Sequence, residues 1–564
     1  MARWVFASAT AVVVGVVGFS ACGGTGSGGG GSGAFDGGAA TGNGGGGTGG
    51  LAIGGSGGIG IDGGGGTAGF IGDPKTCAEA EVAKTYIGCD FWPTVVANNV
   101  WSIFDYAVIV ANAGTNPADV TIERNGSTVA SGTVQPNSLE KYYLPWVPEL
   151  KGPDFDSCTS ALPVSQSVRA PGGAYHLTTT SPVTVYQFNA LEYSDKGGPP
   201  GKNWSSCPGN LPCATNGGLP VGCFSYSNDA SLLLPTSALT GNYRITGQTG
   251  WAIANIPSYF AVTGTQDGTT VNVLTGLGGT VTAGADIPAT GPGAVLSFAI
   301  NRGEVVEVIG TPGGDMSGTL VQASQPVQVI AGIPCTQSPL GVQACDHIEE
   351  SVFPAETLGK HYFVVPPTGP LGNVPGHVVR LYGNKDGTAL TYPGGAPAGA
   401  PTVINAGQVV DLGVITAAFE VLSDSNEFAV STFQLGAQLA DPNSPLALQK
   451  GDPAQSNATA VEQFRTKYIF LAPDDYDVSY VDIVGPSDTA LTLDGSPVSV
   501  AGTPLSSGYS VFRAPLGAGV SGAHVLTSDK PVGIQVVGYG SYTSYQYPGG
   551  LNLTLIAPPP PPIK

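Results

Sequence analysis

The sequence predicts an all-β chain: tandem β-sandwich-like repeats behind a disordered glycine-rich linker. Three observations carry that reading. Only 11 % of the 564 residues are charged, while 87 are Gly and 46 are Pro, a composition that penalises helix interiors and favours turn-rich strands. A strand–turn–strand segment recurs four times. Each copy is preceded by a segment that alternates apolar and polar residues with period two, the mark of a half-buried strand.

The elements follow in order. Arg3, the uncharged run Val5–Gly18 and the small residues before Cys22 have the grammar of a signal peptide. Phe19-Ser20-Ala21-Cys22 resembles a bacterial lipobox, in which the Cys22 thiol receives a lipid. The expectation is a leader at residues 1–21 and a chain held outside the cytoplasm by an acyl anchor in the cell envelope. An outer-membrane location is expected, since Gly23 rather than Asp follows the cysteine, as in lipoproteins sent outward; exposure at the cell surface does not follow from that residue. Residues 22–72 are the lipidated cysteine and a linker that is more than half glycine, with Asp36 and Asp62 its only charges. It has too little apolar surface to offset backbone ordering, and as a flexible coil it would span about 40 Å.

Four β units are then expected, at 73–235, 236–354, 355–462 and 463–557, with a proline-rich tail at 558–564. The recurring strand–turn–strand segments are His176–Asn189, Gly318–Gly332, Phe419–Gln434 and His524–Gly538, and the third lacks the Pro-Val pair of the others. The alternating segments begin at Asn116, Gln266, Lys385 and Ser487. Asp267-Gly268 and Asp386-Gly387 are hairpin-turn chemistry, because Gly accepts positive φ. Three units open on a tyrosine strand, at Tyr243, Tyr362 and Tyr468. Units of about 100 residues with several short strands fit a sandwich; a propeller-like closed array is the alternative. The one helical turn expected lies within Ile348–Leu358, interrupted by Pro354.

Nine cysteines leave eight once Cys22 is lipidated: Cys77, Cys89, Cys158, Cys207, Cys213, Cys223, Cys335 and Cys345. An even set in an exported chain reads as disulfides. Cys77 with Cys89 and Cys335 with Cys345 close short loops; the other four lie in one region of the first unit, and spacing leaves their pairing open. Zinc would want C-x-x-C pairs or histidine partners, which this spacing does not offer. A net charge of −20 repels phosphate backbones and argues against nucleic acid as partner.

Three places could carry chemistry. Cys345-Asp346-His347-Ile348-Glu349-Glu350 concentrates polar groups: as a site, His347, Glu349 and Glu350 would bind metal or exchange protons; as structure, the acids hydrogen-bond the backbone of a disulfide-pinned loop. The structural reading is favoured, because the paired-histidine spacing of a metal motif is missing. Asp474, Asp475 and Asp477 are the densest acidic group and the candidate for a structural calcium, without an EF-hand frame. Trp204 and Tyr226, in the insertion Ser194–Ser227, are candidates for a recognition surface. The remaining histidines, His176, His361, His377 and His524, show no nucleophile–base spacing, and His176 and His524 occupy similar repeat positions.

The segments CDFWPTVVANN from Cys89, NDASLLLPTSAL from Asn228, GTQDGTTVNV from Gly264, SGTLVQASQPVQVIAG from Ser317 and CDHIEESVFPAETLGKHYFVVPP from Cys345 together resemble the IgG-Fc-binding protein N-terminal domain family, over about residues 88–540 and in its order. The resemblance implies a β-rich extracellular module used for binding or adhesion; animal members are linked to immunoglobulin Fc and mucus, and bacterial relatives look like secreted or lipid-anchored surface proteins. The function expected is therefore non-catalytic binding of an extracellular protein or glycan. A structural envelope protein and a carbohydrate-active enzyme are the rivals; the enzyme would need two carboxylates facing across a cleft.

Overall fold

Nearly every regular element is an antiparallel strand, and the strands fall into paired sheets. The computed structural model of the chain describes residues 72–564, except 155–162, 212–214, 217–218, 221, 343, 518 and 520–521. Cys22 and the glycine-rich segment lie outside these residues, as do Cys158 and Cys213.

Each recurring segment is a two-legged strand that ties two sheets into a sandwich. In the first unit, the leg beginning at His176 pairs with Gly88–Phe91 and Ala118–Arg124, and Ser127–Val134 completes that flanking sheet. After Ser181-Pro182 the second leg, from Val183, enters another sheet. It pairs there with Ala230–Leu233 on one side and Tyr106–Asn112 on the other, with Ser138–Leu144 beyond. The other units repeat this order, with second legs beginning at Val327, Phe428 and Val532. The alternating segments form the third strand of each flanking sheet, at Ala118–Arg124, Thr269–Leu274, Thr388–Thr391 and Leu491–Leu493.

The recurrent tyrosine has a physical reason. Tyr243 donates its hydroxyl to the carbonyl of Val327 at 2.6 Å and accepts the Thr240 N–H. Tyr362 does the same between Phe428 and Gly359, and Tyr468 between Val532 and Arg465. Each buried ring thus clamps the opening strand to the first residue of the second leg. The first unit has Phe91 at this place, pairing with Leu177 as Tyr468 pairs with Leu526, and so lacks the clamp.

The four sandwiches close into a ring, which joins the sandwich and closed-array readings. The edge strands Ala230–Leu233, Asp346–Ser351, Gln455–Asn457 and Thr543–Pro548 pack one against the next around a common axis, the last against the first. Cores of the first and last units merge: the Tyr186 ring lies tilted 4.7 Å from that of Tyr547, and its hydroxyl is shared between the carbonyls of Ile469 and Gly549.

At the hub, one carboxylate serves all four units. Ala230, Glu349, Gln455 and Gln546 stand opposite Phe188, Gly332, Phe433 and Val537, which are equivalent positions on the second legs. The backbone N–H groups of those four residues all donate to Asp229. Ala230 and Gln546 reach Oδ1 at 2.9 and 3.3 Å; Gln455 and Glu349 reach Oδ2 at 2.8 and 3.1 Å. Asp346 likewise accepts the N–H groups of Asn228 and His347 and the hydroxyl of Thr543. Burial pushes the acids of Asp229, Asp346, Glu350 and Asp452 well above the ordinary carboxylate range.

Candidate functional site: the loop-bearing end

The strand order gives the ring two unlike ends. The second legs finish beside the first residues of their hub-sheet neighbours, as Asn189 does beside Tyr106 and Tyr539 beside Val478. The connections 92–105, 245–256, 365–376 and 472–477 therefore emerge at the same end as 190–229, 337–345, 434–454 and 541–542. The other end carries the Asp-Gly turns and the turns between legs.

Exposed apolar side chains gather in those long connections. Leu211, Ile253, Leu340, Leu371, Val374, Leu439, Leu446 and Leu448 account for eight of the fifteen exposed large apolar residues among the described residues, with Ile253 at 93 % and Leu448 at 63 % exposure. Scattered exposed aliphatics need no explanation, whereas several on one end of a scaffold mark a contact surface.

Polar latches hold each loop set to the following unit. One strand position recurs in every hub sheet: Lys141 opposite Ile109, Glu307 opposite Ala261, Asp411 opposite Arg380, and Arg513 opposite Asp482. Lys141 bridges Asp474 at 2.5 Å and Asp475 at 3.1 Å in the fourth unit. Glu307 accepts the Ala97 N–H of the first unit at 2.8 Å. Arg380 donates to the Gly247 carbonyl and pairs with Asp315 of the second, and Arg513 donates to Thr368 of the third at 3.1 Å. Three seams are latched by a cation and one by a buried acid.

The acidic group suggested for calcium is thus the latch that closes the ring. Asp474 and Asp475 share Lys141, while Asp477 takes Lys450 at 3.1 Å and the Tyr193 hydroxyl at 2.7 Å. No set of three His, Cys, Asp or Glu side chains converges as metal ligands among the described residues. Lys141→Met should cost about 2 kcal/mol in urea unfolding, because Asp475 is largely buried and loses its cation. Adding Asp475→Asn should recover most of that loss. Calcium and chelator should leave the melting temperature unchanged, and a chelator-induced drop would restore the metal reading.

The cluster at 345–350 is an inner strand rather than a loop. Glu349 accepts from Ser231 at 2.9 Å and Asn189 at 2.7 Å, Glu350 accepts the Ser351 N–H, and His347 is buried with Nε2 3.5 Å from Glu349. The other histidines are held in place: His176 by Asp90, His361 by Glu420, and His524 by Asp494. Burial lowers His377 to about 3, so it is neutral at physiological pH. His176 and His524 are offset by one position: Tyr175, just before the strand, is the equivalent of His524.

Disulfides join Cys77 to Cys89, Cys207 to Cys223 and Cys335 to Cys345. The Cys207–Cys223 bridge pins the insertion so tightly that a Cβ on Gly209 would stand 1.8 Å from the Gly222 carbonyl oxygen and 2.8 Å from the Trp101 ring. Trp204 and Tyr226 are half-buried rather than presented flat. Trp204 packs 5.1 Å from Phe104 and carries the Lys202 ammonium 4.1 Å above its ring. That lysine also pairs with Asp105 and with Glu192, whose acid burial lifts to about 8. Tyr226 lies 5.5 Å from Phe224. The aromatics of the insertion therefore build a small local core, and Leu211 is the exposed large apolar residue among its described residues. Sequence reasoning missed Asp229 and Lys141; the one signal for Asp229 was a lone charge ahead of the apolar run Ala230–Leu234.

Long loops on a ring of sandwiches, carrying exposed apolar residues at one end, have the arrangement of a binding module. The profile of a family described as IgGFc binding protein matches residues 229–538, more than half of the chain, and the chain belongs to that family. The human IgGFc-binding protein is 31 % identical over 187 residues, which are 33 % of this chain and 3 % of the human one. The chain thus spans a small fraction of that relative's length. The profile begins at Asp229, the hub carboxylate, so the first unit stands outside the match although its strand order is the same.

Proposed function

We propose that the chain is a non-catalytic extracellular binding module that presents its loop-bearing end to a protein partner, on a leash lipid-anchored through Cys22 to the bacterial cell envelope. The observation that supports this most is the gathering of exposed aliphatic side chains at one end while the chain enters the body at the other. Asp73 pairs with Arg465 and Lys467, at the opening of the fourth unit's first strand, beside the turn between its legs. Aliphatic tips favour a protein over a glycan, since sugar faces pack best on flat aromatic rings and Trp204 is half-covered.

The test uses anchored cells and immobilised immunoglobulin Fc as first probe. Ile253→Glu, Leu371→Glu and Leu448→Glu combined should lower attachment at least tenfold with an unchanged melting temperature. Val82→Glu with Leu555→Glu, at exposed positions outside the loops, should leave attachment as it was. Equal losses from both sets would refute the loop-end reading. Cys22→Ser should separately abolish labelling by a radioactive fatty acid.

A further inference from the structure

The residues after the fourth unit do not trail free. Leu553 donates its N–H to Lys84 of the first unit, and Ile556 and Ala557 both donate to the Glu356 carbonyl at 2.7 and 3.0 Å. The run Pro558–Pro562 then crosses the flanking sheet of the second unit at Gln322. Its amide Nε2 lies 3.3 Å from the carbonyls of both Pro560 and Pro561, and its Oε1 accepts the Ile563 N–H at 2.6 Å.

A run of prolines offers carbonyls but no N–H groups, and it holds its extended form with no internal hydrogen bonds. A surface that recognises it needs donors along the run and acceptors at its flanks. The second unit supplies both. Gln322 donates along the run, while its own oxygen and the Glu356 carbonyl take the N–H groups on either side. Gln322 is also oriented without help from the tail. Asn242 accepts from its amide at 3.1 Å and donates to Glu356 Oε1 at 2.7 Å, and Thr240 donates to Glu356 Oε2 at 2.9 Å. Pro560 is buried, so the contact also removes apolar surface from water.

We propose that the edge formed by Asn242, Gln322 and Glu356 is a binding site for an extended proline-rich segment, occupied here by the chain's own residues 556–563. This surface is separate from the loop-bearing end. A resident tail acts at high effective concentration and shields the site, so a proline-rich segment from elsewhere gains access when the tail is displaced.

The probe is a fluorescent peptide of residues 555–564, titrated into the full chain and into a chain ending at Thr554. Saturable binding is expected to the shortened chain, at least tenfold weaker binding to the full chain, and a tenfold or greater loss in the shortened chain carrying Gln322→Ala. A shortened chain that melts like the full one yet shows no saturable binding, or binding indifferent to Gln322→Ala, overturns the proposal. Should the shortened chain fail to fold, amide exchange in the full chain decides instead. The Ile563 amide is expected to be protected and to lose protection in Gln322→Ala; exchange at the free-peptide rate in the unsubstituted chain overturns the proposal equally.

Discussion

Asp229→Ala should cost about 4 kcal/mol or more in denaturant unfolding, a large share of what holds a domain folded. Four buried N–H groups, one from each unit, lose their common acceptor at once. Each buried donor left unpaired costs about 1–3 kcal/mol, and the hub is walled off from water that could replace the carboxylate. Asp229→Asn separates acceptor from charge. One oxygen is kept and can serve two of the four donors, while the new amide group turns its own hydrogens toward the other two. The Asn variant should therefore fall between the Ala variant and the unsubstituted protein. Because the donors come from all four units, the loss should appear as one cooperative transition at lower denaturant. An Ala variant within about 1 kcal/mol of the unsubstituted protein would mean that the axis is not held by this residue.

What could be read in the sequence is what each unit repeats within itself. The leg–turn–leg segments are visible because Pro-Val turns, present in three of the four, and alternating strands are local chemistry, and they mark where each sandwich joins its two sheets. Tyr243, Tyr362 and Tyr468 could be seen to recur, but not why: their hydroxyls act on carbonyls some 65 to 85 residues away. The seams could not be read. Lys141, Glu307, Arg380 and Arg513 serve equivalent roles with an ammonium, an acceptor and two guanidinium donors, and Arg380 stands opposite the shared strand position rather than at it, so no single residue type marks that position. Asp474, Asp475 and Asp477 looked like a metal site because acids close in sequence resemble ligands; the lysines that satisfy Asp475 and Asp477 come from other units. The exposed loop residues share no motif either. Only the strand order that sends their connections to one end makes Ile253, Leu371 and Leu448 members of one surface.

Stability should fall as pH rises from about 5 to 8, and Glu307→Gln should remove a defined part of that fall. Glu307 is fully buried at the seam of the first two units, its Oε1 takes the Ala97 N–H, and burial lifts its acid from 4.5 to about 8. An unfolded chain releases this proton near 4.5, whereas the folded chain keeps it until about 8. Between those limits the folded state binds more protons, so each pH unit lowers unfolding free energy by roughly 1.4 kcal/mol, and the fall levels off above about 8. The contribution of this group over the window is of order 4–5 kcal/mol. Asp229, Asp346, Glu350 and Asp452 shift in the same direction, so the unsubstituted protein should fall more steeply than Glu307 alone requires. Glutamine preserves the acceptor for Ala97 and carries no titrating proton. At pH 5 the two proteins should agree within about 1 kcal/mol, and at pH 8 the glutamine variant should be the more stable by several kcal/mol. Parallel stability curves across that range would show that Glu307 reaches a cation or water in solution, and that the seam it latches is open to solvent.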